Sequence, residues 1–468
     1  MLKRKSIAKK VVCIFMAMMT IFSSSHIEAK AAQIWPEGPK VNAPSAIVME
    51  LNSGTILYEK NSDEVNYPAS ITKIMTTMLA LEHCELNEVV TFSADAVYKN
   101  EGNTSHIARD LNEQMTMEEC LYAVMLESAN ECAYAVAEHV GAKLGGNYQT
   151  FIDLMNEKAK ELGCTNTHFN NANGLPDEDH WTSARDMALI SAEAYKNENF
   201  RIIISTPRYV IPPTNKHKDK TYLNNHHEMI HNYKTDKYLY EHAIGGKTGY
   251  TQAAGATLVS YGEKDGITLV CVVMRTAKLY YYEDTENLFE FCFQNFVNYN
   301  ILENEATLMQ EEQSKGFMND FGPYVSLDKT ATITLPASAT FSDAKCTITQ
   351  GNKGSGKVAE LVYTYGDKEV GVATIVPSGV TVGENYFNTN ASQVDKEVHT
   401  VKIKPIYIIL GILCLIALVI IILILKKVYD NYYLIRHNME IRRQRQSRFR
   451  PVNRKRESMR RRRNRRFR

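Results

Sequence analysis

The chain has 468 residues, 44% hydrophobic and 23% charged, which is enough apolar material for roughly two to four units with buried cores and excludes a disordered chain. The formal net charge of +1 hides a strong asymmetry. Residues 426–468 hold 18 Lys+Arg against 3 Asp+Glu, and residues 1–31 hold 6 against 1, whereas residues 32–425 hold 30 against 49, so a basic nucleic-acid binder is excluded for the folded part.

In chain order, residues 1–31 read as a secretory signal peptide. Lys3, Arg4, Lys5, Lys9 and Lys10 precede the uncharged run Val11 to Phe22, and Ala29-Lys30-Ala31 offers a small-residue cleavage site. Twelve residues are too few to span a bilayer. After a Pro-rich lead-in, Ala46–Glu50 and Thr55–Tyr58 flank Asn52-Ser53-Gly54 as a predicted hairpin. A helix is predicted from Pro68 to about Glu82, with Ile74, Met78 and Leu81 on one face. Further helices are predicted from Met117 to about Glu127, from Asn130, up to Gly163, and over Ser183–Asn197, with a loop over Asn170–Asp179. The period then changes. Ile244–Gly249, Ala256–Tyr261 and Ile267–Met274 read as strands, the last two buried on both faces, and Thr285–Tyr299 as a closing helix. Thr330–Leu335, Lys345–Thr349, Lys357–Tyr365 and Glu369–Val376 suggest a small antiparallel β domain over 306–395. Beyond a linker at 396–405, Ile406 to Leu425 gives twenty uncharged residues, about 30 Å as a helix, and Lys426-Lys427 opens the basic tail. The positive-inside rule predicts a cytoplasmic tail and an exported unit from 32 to 405.

Seven of the nine cysteines fall in that exported unit, an odd number without CxxC or Cys/His metal spacing, and are expected to be mostly free thiols. Three short motifs carry the chemistry. In Ser70-Ile71-Thr72-Lys73 the amine lies one helical turn from the hydroxyl, close enough to act as its base if the surroundings keep the lysine neutral. Ser128-Ala129-Asn130 interrupts two helix patterns and can project a hydroxyl and a carboxamide. Lys247-Thr248-Gly249 ends a strand pattern after Gly245-Gly246, which allow close approach of another group. Alone, SxxK is a weak signal; SxxK, SxN and KTG in this order are the signature of the penicillin-binding serine acyl-transferases and of the β-lactamases.

The chain thus resembles the low-molecular-mass penicillin-binding proteins, the serine-type D-alanyl-D-alanine carboxypeptidases of peptidoglycan. The stretches from Tyr67, from Asn173-Gly174-Leu175-Pro176, from His180 through Ala184-Arg185-Asp186-Met187-Ala188, and from Gly246 to Gly255 carry the same resemblance. It implies an α+β catalytic domain over 32–305, with an antiparallel sheet and a helical subdomain, followed by the small β domain and a transmembrane helix. It implies Ser70 as the acylated nucleophile, Lys73 as its base, and Ser128 as the relay to the leaving D-alanine nitrogen. Asn130 would hold Lys73 and the substrate peptide, Lys247 and Thr248 the terminal carboxylate of substrate or penicillin, and the Ser70 and Tyr250 amides, beside Gly249, the oxyanion. Lys73 is then expected to have a depressed pKa, from burial and from the Lys247 charge, so that acylation rises with pH through it and falls again as Lys247 loses the charge that holds the carboxylate.

No cofactor or metal is expected; His226, His227 and His231 read as core or surface histidines. The expected partners are peptidoglycan stem peptides, β-lactams as inhibitors and the membrane, with no nucleic acid. Ala129, Asn112 and Arg275 depart from the family pattern, where Gly, Gly and a small residue are usual. Three rivals remain: a β-lactamase, weakened because 170–185 lacks a Glu-xx-Asn element; a D,D-endopeptidase using the same site; and a non-catalytic wall-binding protein, which would not need all four of Ser70, Lys73, Ser128 and Lys247.

Overall fold

The structure, a computed structural model, describes residues 35–99, 104–304, 325–327, 329–350 and 359–377. The signal segment 1–31, the linker 396–405, the span 406–425 and the tail 426–468 lie outside the described residues; among those that are described, no helix is long and apolar enough to cross a membrane.

The expected hairpin forms from β1 (Ser45–Glu50) and β2 (Ile56–Lys60). Glu50 stabilises its turn by accepting the Ser53 amide at 2.6 Å and the Ser53 hydroxyl at 2.9 Å. A 3-10 turn over Ala69–Thr72 then leads into α1 (Lys73–His83). β3 (Val89–Thr91), α2 (Ala94–Tyr98) and β4 (Gln114–Thr116) form a small outlier, in which β3 and β4 pair. α3 (Met117–Tyr122) starts from a capping box between Thr116 and Glu119 and widens into a π turn over Ala123–Glu127. There follow α4 (Asn130–Lys143), α5 (Tyr148–Glu161), α6 (Ala184–Tyr195) and α7 (Glu198–Ser205), then the hairpin β5 (Arg208–Ile211) and β6 (Thr221–Asn224). β7 (Ala243–Thr251), β8 (Gly255–Lys264) and β9 (Ile267–Thr276) precede α8 (Tyr281–Asn295).

The main sheet is antiparallel with strand order β2-β1-β9-β8-β7. Its alternation sorts side chains into two cores. Val270, Val272 and Met274 of β9 join Ile47 and Met49 against the helices α1 and α3 to α7, while Leu269, Cys271 and Val273 join Ala46 and Val48 against α8. This is why the sequence runs of β8 and β9 are almost unbroken in hydrophobicity. Among the described residues β7 is the edge strand, bonded to β8, and its other edge lies beside the 3-10 turn that bears Ser70.

Several expectations shift. Ser70 sits in a 3-10 turn rather than the first α-turn; the i,i+3 pair still shares a face, because three residues complete that turn. The helix expected over Thr285–Tyr299 ends at Asn295, and Phe296–Asn300 form β10, which pairs with β12 (Thr332–Pro336). Pairing with β12 makes Phe296–Asn300 a strand, so this β pairing begins on the catalytic side of the expected boundary at 305. β11 (Val325–Leu327), β15 (Lys368–Pro377), β14 (Ala359–Tyr365) and β13 (Lys345–Gln350) make a four-stranded antiparallel sheet in that order, with Leu361, Tyr363, Ala373 and Ile375 in its core. α2, α7, β3 to β6 and β11 had no sequence expectation. Asn112, where the family pattern has Gly, does take the left-handed backbone at φ 58°.

Candidate active site

The three motifs meet between the 3-10 turn, the segment joining α3 to α4, and β7. Lys73 and Lys247 are essentially fully buried, Asn130 is 3% exposed and Ser128 is 5% exposed. Lys73 Nζ lies 3.0 Å from Ser70 Oγ and donates to Asn130 Oδ1 at 2.7 Å and to the Asn173 carbonyl at 2.5 Å. Ser128 ends the π turn in the left-handed conformation (φ 64°, ψ 30°), costly for a residue with a Cβ. Its buried hydroxyl has no hydrogen-bond partner among the described residues. A buried, unbonded hydroxyl held by a strained backbone is what a group kept ready for a substrate looks like.

On the opposite wall, a Cβ placed on Gly249 would stand 2.9 Å from the Ser70 amide, so only glycine lets β7 approach the nucleophile this closely. The Thr257 hydroxyl, one strand over, donates to the Pro68 carbonyl at 2.8 Å and fixes the turn against the sheet. Lys247 Nζ donates to the Thr248 carbonyl at 2.9 Å. Tyr250 is exposed, with the Lys278 ammonium 4.1 Å over its ring.

Burial, and next the Lys247 charge, hold the Lys73 amine well below its ordinary value, in the direction and for the causes expected from sequence. Lys247 is shifted in the same direction. Burial pushes it down to about 7, with Glu127 only partly opposing, so its charge in the free site is marginal at neutral pH. The sequence suggested the charge but gave no sign that this lysine loses all contact with water.

Other residues gain roles that sequence reasoning did not give them. His180 Nδ1 accepts the Asn170 and Asn171 amides at 2.9 and 3.3 Å, so the neutral ring carries its proton on Nε2 and donates to Thr72 Oγ1 at 2.8 Å. Thr72 in turn donates to the Ala69 carbonyl at 2.9 Å. This chain ties the loop that presents the Asn173 carbonyl to the turn that presents Ser70. Gly174 in the same loop has φ +84°, and a Cβ there would lie 1.9 Å from the Ala69 carbonyl. Burial drives the His180 imidazole down to about 3, so it stays neutral in the folded protein. The family-like stretches at 173–176 and 180–188 were the available signal; their sequence spacing shows no contact with Lys73. Of the three histidines read as bland, His226 pairs with Glu127 at 3.0 Å, His227 is buried against Ser260 at 2.8 Å, and His231 lies beside Arg208. Arg275 takes φ 60° and pairs with Glu64 at the exposed rim. Cys84, Cys120, Cys132, Cys164, Cys271 and Cys292 carry free thiols.

A model of the D-alanyl-D-alanine carboxypeptidase family matches residues 31–278. The chain is 32% identical over 281 residues to D-alanyl-D-alanine carboxypeptidase DacF of Bacillus subtilis, covering 58% of this chain and 68% of that protein. It is 31% identical over 299 residues to DacC of Escherichia coli, covering 60% and 69%. It is also 27% identical over 248 residues to a D-alanyl-D-alanine endopeptidase of Escherichia coli, covering 51% and 73%. Among solved structures, the Streptomyces K15 DD-transpeptidase superposes with a TM-score of 0.50 at 27% identity, over 55% of this chain and 100% of that one. With its motifs gathered in one cleft of a penicillin-binding transpeptidase-like α+β domain, the chain belongs to the D-alanyl-D-alanine carboxypeptidase family of serine hydrolases.

Proposed function

We propose that Ser70 attacks the carbonyl of the penultimate D-alanine of a peptidoglycan stem peptide, with neutral Lys73 as its base. The observation that carries this is the coordination of Lys73. A neutral amine has two hydrogens and one lone pair; Asn130 Oδ1 and the Asn173 carbonyl take the hydrogens, and the lone pair is left facing Ser70 Oγ at 3.0 Å. The Ser70 proton passes to Lys73, the tetrahedral oxyanion is held by the Ser70 and Tyr250 amides, and the leaving D-alanine nitrogen receives its proton through Ser128. Water then hydrolyses the ester. Lys247 and Thr248 hold the terminal carboxylate, and the free edge of β7 takes the substrate backbone as an added strand, with Gly249 allowing its approach.

β-Lactams are expected to acylate Ser70 by the same route and to leave slowly. The loop that supplies a carboxylate base in the rival lactamase reading offers Lys73 a backbone carbonyl, that of Asn173, instead. The 406–425 run and the basic residues after it favour a membrane tether with the catalytic domain on the wall side and the tail in the cytoplasm. Labelled penicillin and a stem pentapeptide test the assignment together. The wild type should bind label covalently and release free D-alanine, and Ser70→Ala should do neither; normal labelling of that variant overturns the nucleophile.

A pH profile tests the two lysines. Acylation should rise as Lys73 loses its proton and fall as Lys247 does, so kcat/KM, which reports the free enzyme, should have its alkaline limb near pH 7. The bound carboxylate stabilises the charged form of Lys247, so the alkaline limb of kcat should lie higher. Coincident alkaline limbs would remove Lys247 as the carboxylate's partner.

A further inference from the structure

Away from the cleft, three side chains of different donor chemistry converge. Cys84, Glu88 and His139 each offer one ligand atom, and these atoms all lie within 4.8 Å of one another. Cys84 is the residue after α1, Glu88 lies in the turn before β3, and His139 stands one turn from the end of α4. All three are half-buried. Sequence spacing conceals the group, because 51 residues separate Glu88 from His139.

We propose that this is a structural site for a borderline divalent cation of the zinc class. Thiolate, imidazole and carboxylate are the donors such a cation selects, and the two anionic groups balance its charge. Three protein ligands leave a fourth position open to water. In the structure Glu88 joins the group together, meeting His139 Nε2 at 2.9 Å, accepting the Glu85 amide at 2.7 Å and pairing with Lys143. The Lys143 ammonium is the positive charge that a cation would replace, and with 43% of its side chain exposed it can swing into water. A second group, Asp110, Glu113 and His217, lacks this freedom: the cation already on Glu113 is the Arg109 guanidinium, 3% exposed and locked in place.

The placement gives the site a purpose. Lys73 is the first residue of α1 and Asn130 the first of α4, and these two meet at 2.7 Å in the cleft. Cys84 and His139 belong to the other ends of the same two helices. A cation there clamps the pair at the end away from the chemistry, so it raises stability without touching the reacting atoms.

The test uses the full chain in detergent micelles, stripped with a chelator and titrated with Co2+ and Zn2+. One Co2+ per chain should bind with a thiolate charge-transfer band that Cys84→Ser abolishes, and Zn2+ should raise the melting temperature of the wild type. Cys84→Ser and His139→Ala should each weaken Zn2+ by about tenfold or more. Lys143→Met, which removes the competing ammonium and leaves the ligands intact, should bind Zn2+ at least about threefold tighter. Penicillin labelling, which does not involve these residues, reports whether each variant is folded. Binding without a thiolate band, equal affinity in Cys84→Ser, or no gain in Lys143→Met would each overturn the site; the last arm stands even if the cysteine variant does not fold.

Discussion

The catalytic cleft and the β11–β15 sheet are built on opposite terms. The sheet alternates ordinary inward apolar residues (Leu361, Tyr363, Ala373 and Ile375) with half-exposed Val362, Thr364, Val372 and Thr374. The cleft buries two lysines, leaves the Ser128 hydroxyl without a partner among the described residues, and holds Ala69 and Ser128 at φ 52° and 64°. Each of those features opposes folding by something on the order of 1–3 kcal/mol, and they persist because the two cores on either side of the main sheet over-determine the backbone between them. The difference teaches where selection has acted for chemistry rather than for packing.

Exchanging the buried lysines strikes that contrast hardest. Lys73→Arg should lower penicillin acylation by about a thousandfold or more, because a guanidinium stays protonated and cannot accept the Ser70 proton. Lys247→Arg should lose far less, since its role needs only charge; rapid-mixing acylation rates that match in the two variants would show the lysines are wrongly assigned. In the other region, Leu361→Ala should destabilise the small sheet by about 2–5 kcal/mol while leaving Ser70 acylation intact. Denaturant melts and penicillin labelling of that variant should therefore separate, and parallel loss of both would join the regions energetically.

Acid should likewise act on the cleft first. His180 and His227 are buried and neutral, with burial driving both imidazoles to about 3. The unfolded chain takes up their protons near pH 6.5 and the folded chain only near 3. Stability contributed by each is therefore full above the unfolded value and declines by about 1.4 kcal/mol per pH unit as pH falls through the window from 6.5 to 3. His180→Gln should flatten the pH dependence of the denaturation midpoint over that window; an unchanged slope would mean the imidazole is not held neutral. The smallest effect is expected at Ser128. Ser128→Gly relieves the left-handed backbone and should raise stability by about 1 kcal/mol while turnover falls, a sign pattern that thermal melts and D-alanine release can read together. A loss of stability in that variant would mean the backbone at Ser128 is not strained.

The three motifs were legible because each is local. Ser70 to Lys73 is one turn, Ser128 to Asn130 one tight connection, and Lys247 to Gly249 one strand end, and a turn or a strand imposes its own periodicity on adjacent residues. Nearly unbroken apolar runs also marked β8 and β9, and 3.6-residue spacing marked α1, α4 and α6. Phe296–Asn300 was misassigned because a short apolar stretch at the end of a helix has no signal of its own; the pairing partner at Thr332–Pro336 decides that it is a strand. The His180–Thr72–Ala69 chain, the Asn173 carbonyl on Lys73, the complete burial of Lys247 and the meeting of Cys84 with His139 were decided by tertiary structure alone. Hydrogen-bond geometry and desolvation depend on which distant segments pack together, and residue order along one segment does not carry that information. So the sequence by itself marked the groups that the proposed chemistry uses. The fold determined how far each is removed from water, and with that which lysine is ready to accept a proton and which is poised to lose its charge.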